Sequence, residues 1–410
     1  MCIRCFELNR RSLLVGGGAI AASTMTGVAH SRIRPADMVP LIGPNYRPTE
    51  EDEQGLWQMM ERVEEEVAGS NLLIKDPELN TYLQDLIGKV GGPAANDMRI
   101  YVARIPEFNA MMFPSGFTVI FSGLLLRMRN EAQLAGVIAH ESGHFLRRHM
   151  IRQWRDMRRK SDILSIGAMI AGVGGAGAGV YMGDFVQLAQ LGTMLSLFRY
   201  NRTLEAEADA MGARLIAEAG YAPDEMADTW EQLIGEMEAS ARYRRKRRDR
   251  GYGLFDTHPA PESRMADLKA SAAELTVPGR TYDTGRARYL EAIGPIRQMM
   301  LEDQVKLNDP GASQYVIETL AQDGWNGLLR FYEGEIWRLR NRDSEGDSRR
   351  AAQSYAIAVA YPDAPPDAWR WHGLSLIKQG RRAEGRQALS RYLSMKPDAA
   401  DAPFIRQMIS

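Results

Sequence analysis

A chain of 410 residues, 45% hydrophobic and 25% charged, has room for about two or three domains and a real buried core. Its net charge of -1 gives no electrostatic reason to expect nucleic acid as a partner. The two cysteines, Cys2 and Cys5, stand at the extreme N-terminus, so if that end is removed any metal must be held by histidine and carboxylate.

The first residues read as an export signal. Arg4, Arg10 and Arg11 form a positive region, Ser12 to Ala22 is a short apolar stretch, and Thr26-Gly27-Val28-Ala29 offers small residues for cleavage near Ala29. Asn9-Arg10-Arg11-Ser12-Leu13-Leu14 fits a twin-arginine signal, with an ordinary Sec signal as the alternative. Either route implies export, and the apolar run is too short for a stable membrane anchor.

After a proline-rich stretch, helical periodicity and acidic charge run over 49–68. Asp76-Pro77 sets up a second helix over 78–90, stopped by Gly91-Gly92-Pro93. Met98 to Ala103 alternates as a strand, and Phe117 to Phe121 is a second β-rich run. A long helix is expected over 130–148 and another over 203–219, ended by Gly220. Between them, the uncharged stretch from Ile163 to Tyr181 is long enough to span a bilayer. Its glycines and small residues favour a helical hairpin covering the site, and a membrane-associated loop stays open.

From about 290 onward the pattern is helical. Trp369, Gly373, Leu376, Gly385, Leu389, Tyr392 and Pro397 keep the spacing of a tetratricopeptide repeat. A looser copy runs from Leu328 through Gly334, Trp337, Ala352 and Tyr355 to Pro362, and a generic helical bundle is the alternative.

The decisive motif is His140-Glu141-Ser142-Gly143-His144. Histidine is scarce here, 6 in the whole chain, so such a pair is rare by chance. Two histidines four apart share one helix face and can reach one ion. Glu141 between them can hold the attacking water and take its proton, at a pKa that zinc lowers. A third ligand is needed. His149 lies half a turn round an ideal helix from His140 and reads as a solvated helix-end residue. The acidic segment from Thr203 to Asp209 is the better source. Glu205 and Asp209 share a face, with Glu207 opposite, and suit a ligand and a carboxylate that accepts the N–H of a bound imidazole.

These residues resemble the HtpX/BepA-type family of gluzincin metallopeptidases, which includes the CAAX prenyl endoprotease. The likeness is greatest to its soluble periplasmic BepA-like branch with a C-terminal tetratricopeptide domain. It also rests on Asn71 to Pro77, Asn109-Ala110, Gln133 to Ala139, and Thr257-His258-Pro259. The resemblance implies that His140, His144 and Glu205 bind Zn2+, that Glu141 is the base, and that Asp209 supports a ligand. It gives His258 a role at the metal, as an autoinhibitory cap, over the alternatives of transition-state donor and turn residue. Arg264 is either an oxyanion stabiliser or a salt-bridge scaffold. Asn109, Ala110, Met111 and Met112 match the family's edge strand, where an extended polypeptide substrate lies by strand addition. The Arg242 to Arg250 run is a solvated loop or a peripheral contact with anionic lipid.

The expectation is thus an α+β fold: a signal (1–29), a zincin-like metallopeptidase domain (48–275) and an α-helical tetratricopeptide-like domain (290–410). The resemblance implies a periplasmic zinc endopeptidase that removes misfolded or stalled envelope proteins and meets the outer-membrane assembly machinery through its repeats. Cobalt, manganese or nickel would also suit the donor set. The rivals are a chaperone or assembly factor acting by binding, and a membrane-embedded protease.

Overall fold

Three strands, β1 (Arg99–Ala103), β2 (Ala110–Met112) and β3 (Phe117–Phe121), form a small sheet in the order β1-β3-β2. β1 runs parallel to β3 and β2 antiparallel to it, with Met112 opposite Thr118. Every residue of β3 is buried, because the sheet is covered on both faces. Phe117, Val119 and Phe121 join Met111 and Ala103 on one face. Ile100, Val102, Ala110, Met112 and Ile120 point to the other, so the period-two alternation of a strand sorts the apolar residues between two layers.

The first layer is α1 (Glu51–Gly69), whose Leu56, Met60, Val63 and Val67 make the stripe that meets the sheet. Glu51, Asp52 and Glu53 sit in its first turn, where the helix dipole favours anions. The second layer holds α2 (Pro77–Val90), the short α3 (Ser122–Arg127) and α4 (Glu131–Leu146). Asp76 caps α2 through Leu79 N at 3.0 Å, with Pro77 in its first turn, and Asn130 caps α4 through Gln133 N at 2.8 Å. The computed structural model describes residues 41–160, 200–244, 261–340, 342 and 344–410. The export signal, the stretch from Ile163 to Tyr181, His258-Pro259 and the 245–250 part of the arginine run lie outside the described residues.

α4 does not continue to 148 as one helix. Arg148 takes a positive φ of 56°, and a new helix, α5 (His149–Lys160), starts in a different direction. Later come α6 (Arg202–Glu218), α7 (Glu225–Arg244), α8 (Pro261–Leu275), α9 (Arg286–Lys306) and α10 (Pro310–Leu320). The chain ends in two helical pairs and a last short helix: α11 (Gly327–Arg340) on α12 (Ser344–Ala358), α13 (Pro366–Lys378) on α14 (Arg382–Met395), then α15 (Ala402–Ile409).

One apolar cluster runs from Leu83 and Ile138 through Tyr289, Met300 and Val316 to Phe331, Tyr355 and Ala368. Arg104 adds a two-point pair to Asp303, at 2.7 and 2.9 Å. Arg127 bonds both Glu236 and Gln304. The strand end and α3 are thereby fastened to α7 and α9. Among the described residues, no helix is long and apolar enough to cross a membrane.

Candidate active site

α4 is buried along almost its whole length, and His140, Glu141 and His144 are carried inside it. Their i, i+4 spacing brings the two Nε2 atoms to 3.1 Å. Glu205 enters from the first turn of α6, held there by Asn201, whose side chain caps Thr203 N and Leu204 N at 3.0 Å. Its carboxylate oxygens lie 3.6 Å from His144 Nε2 and 3.8 Å from His140 Nε2.

That approach depends on two glycines at the crossing of α4 and α6. A Cβ on Gly143 would stand 3.1 Å from Ala208 backbone, and one on Gly212 would stand 3.0 Å from His140 N. Without side chains there, the helices close until a carboxylate on one reaches the imidazoles on the other.

Among the described residues, His140, His144 and Glu205 have donor atoms all within 4.8 Å of one another and can hold a metal ion. Donors ~2.0–2.1 Å from a tetrahedral zinc would be about 3.3 Å apart, close to the separations found here. Two imidazoles and a carboxylate are also the donor chemistry of catalytic zinc sites, which leave a position open.

The remaining edge of His140 faces Asp209, with Nδ1 and Oδ1 at 2.9 Å. Arg264, from α8, grips Asp209 through Nε at 2.9 Å and a terminal nitrogen at 2.7 Å. Its other terminal nitrogen lies 2.7 Å from Glu205, and its guanidinium lies over the Trp230 ring at 4.2 Å. Burial alone would raise the Asp209 pKa, but the Arg264 cation and the His140 hydrogen bond outweigh it and hold the carboxylate well below its ordinary range. Arg264 thus ties Glu205 to the carboxylate beside His140, the salt-bridge arrangement weighed above against an oxyanion role.

Glu141 turns toward the sheet, where its Oε2 accepts from Met112 N at 3.2 Å. The strand order leaves β2 at an edge. Phe121 N donates to Asn109 O and Phe113 N to Phe117 O, so 109, 111 and 113 turn their backbone toward β3. The backbone groups of Ala110 and Met112 face the outer edge, on Glu141's side. Beside Glu141 lies a small apolar cleft, lined by Phe108, Val137, Met226 and Trp230 among others.

His149 departs from the sequence expectation. It is fully buried, not solvated, because the break at Arg148 ends the helical extrapolation and turns it back toward the site. His149 Nδ1 lies 3.0 Å from His144 Nδ1, and its Nε2 lies 3.1 Å from Glu207. Glu207 also accepts from Arg152 at 2.9 Å. Burial opposes ionisation of Glu207, but bonds from His149 and Arg152 prevail and lower its pKa to about 2. Burial pushes the His149 pKa down. Tyr200 stacks on the His144 ring, centroids 3.9 Å apart. No pattern in the sequence marks Tyr200, whereas helical periodicity places His149 in solvent and Glu207 on the face opposite Glu205.

Residues 73–272 match the description Peptidase family M48, and the segment spans the sheet and all the site residues above. This segment belongs to peptidase family M48. It is 30% identical over 260 residues to the beta-barrel assembly-enhancing protease of Escherichia coli K12, covering 62% of this chain and 51% of that protein. It is 27% identical over 197 residues to the mitochondrial metalloendopeptidase OMA1 of Schizosaccharomyces pombe, covering 47% and 52%. Metalloprotease LoiP of Escherichia coli K12 is 27% identical over 193 residues, covering 47% and 68%. The chain spans about half the length of the assembly-enhancing proteases it matches.

Proposed function

We propose that the protein is a zinc-dependent metalloendopeptidase that hydrolyses peptide bonds of extended or unfolded polypeptides. The observation that carries this reading is the convergence of His140, His144 and Glu205 beside Glu141, which accepts from the outward amide of Met112 on β2. Zinc in such a donor set supplies a Lewis acid and lowers the pKa of a water toward neutrality. Glu141 orients that water, takes its proton and returns it to the leaving amine. Asn109 to Met112 hold the substrate main chain, Ala110 offering its outer amide and carbonyl and Met112 its carbonyl, so recognition reads backbone more than side chains. Asp209 fixes the His140 ring, and Arg264 holds Asp209 and Glu205 in register.

The names of the assembly-enhancing relatives and the signal-like N-terminus support a finer reading: an exported, periplasmic enzyme that clears misfolded or stalled envelope proteins. In this reading residues 48–275 are the peptidase domain. The paired helices within 290–410 form a tetratricopeptide-like module that contacts the outer-membrane assembly machinery. His258, outside the described residues, caps the centre until a client displaces it.

The test is proteolysis of casein before and after chelation. Cleavage that a chelator removes and stoichiometric zinc restores, and that rises in His258→Ala, is expected. Cleavage indifferent to the chelator contradicts the metal reading, and an unchanged rate in His258→Ala removes the cap alone.

A further inference from the structure

We propose that His149 and Glu207 form a relay that fixes the tautomer and orientation of His144, and so set how tightly the centre holds zinc. The inference rests on the reading of His140, His144 and Glu205 as a zinc site.

For His144 to turn a lone pair on Nε2 toward His140 Nε2 and Glu205, its proton must sit on Nδ1. That Nδ1 lies 3.0 Å from Nδ1 of His149, which must then accept. A neutral His149 accepting at Nδ1 carries its proton on Nε2, and Nε2 lies 3.1 Å from Oε2 of Glu207. The Glu207 carboxylate can only accept, and Arg152 anchors it from the other side at 2.9 Å. Each proton position in the chain Glu207–His149–His144 therefore follows from its neighbour, as the hydrogen-bond network assigns them. The three groups come from three helices, α4, α5 and α6, and all are buried.

Two features show how the fold sets up this contact. The backbone at Arg148 is left-handed, a conformation uncommon for a residue with a side chain, and it redirects the chain just before His149. Arg148 is itself paired with the buried Glu53 of α1. Tyr200 stacks on the face of the His144 ring, so the relay restrains the imidazole in its plane while stacking restrains it out of plane. His140 has a direct carboxylate partner in Asp209, whereas His144 reaches its carboxylate through a second imidazole.

The experiment measures zinc affinity of the full chain by competition with a chelating dye, and the visible spectrum of the cobalt-loaded protein. The variants are His149→Phe, His149→Asn and His149→Gln. Phe keeps ring bulk and removes both bonds; zinc binding about 10–100-fold weaker, with an altered cobalt spectrum, is expected. Asn keeps an acceptor where Nδ1 was, and Gln keeps only a group near the former Nε2, so Asn should bind zinc more tightly than Gln. A merely structural role would lower the melting temperature of both without separating their affinities. Parent-like affinity and spectrum in His149→Phe overturn the relay. If that variant does not fold, equal affinities in Asn and Gln overturn it. A parent chain that takes up no zinc overturns the zinc reading and the relay together.

Discussion

The carboxylate of Asp209 stands 2.9 Å from Nδ1 of His140, on the ring edge opposite the nitrogen that meets His144. Arg264 keeps that carboxylate ionised, so it accepts the Nδ1 proton and leaves the Nε2 lone pair turned toward His144 and Glu205, where a metal could sit. Asp209→Ala should weaken zinc binding about 10–100-fold. Removing one partner of a buried ion pair should also lower stability by ~3–5 kcal/mol. Metal titration and denaturant unfolding check the two effects separately. Asp209→Asn should cost less affinity, since its amide oxygen can still accept.

The closeness of α4 and α6 predicts a second effect. In Gly143→Val the new side chain meets Ala208 backbone, and the neighbouring helix must retreat to admit it. Overpacking of this kind costs ~1–3 kcal/mol. Because α6 carries Glu205, zinc affinity should fall along with the melting temperature.

The outer edge of β2 gives a third. Ala110→Pro removes an amide hydrogen that does not serve the β2–β3 ladder. Zinc content should stay near one per chain, while kcat/KM for an extended peptide falls by up to about tenfold, the loss of one main-chain hydrogen bond. A parent-like kcat/KM would remove β2 as the substrate-binding strand.

Much of this centre was legible because its residues follow helical spacing. His140 and His144 share a face by periodicity alone, and Glu205 and Asp209 do so on their own helix. Asp76-Pro77, Asn130 and Asn201 are caps, so the starts of α2, α4 and α6 lie within about one residue of the expected positions. Periodicity holds only while the helix does, and Arg148 breaks it, so the extrapolation fails at His149. Glu207 lies on the opposite face from Glu205, as expected, but α5 covers that face, so the residue is buried and paired with His149 and Arg152. Tyr200 and the grip of Arg264 depend on chain crossings that no local pattern records.

Glu131 at the start of α4 predicts a pH dependence. It is buried and bonded to Tyr221 at 2.6 Å and Arg288 at 2.7 Å. Burial would raise its pKa, but the bonds from Arg288 and Tyr221 carry it below the ordinary value of 4.5. A carboxylate with a lowered folded pKa contributes stability that is present above its unfolded pKa and lost as pH falls through the folded one. Glu131→Gln should therefore be less stable than the parent at pH 7, by about 1–2 kcal/mol allowing for solvent around Arg288. The gap should narrow as pH falls below about 4.5. Urea unfolding of both proteins across that range checks it.

The most direct measurement is cleavage of casein by zinc-loaded Glu141→Gln beside the zinc-loaded parent, with metal content determined in both. Glu141 is not among the three residues that could hold the metal, so zinc should remain stoichiometric. Cleavage should fall at least about 10²-fold, the contribution expected of a general base. Parent-like cleavage by Glu141→Gln, or a parent that holds zinc and cleaves nothing, would contradict the account.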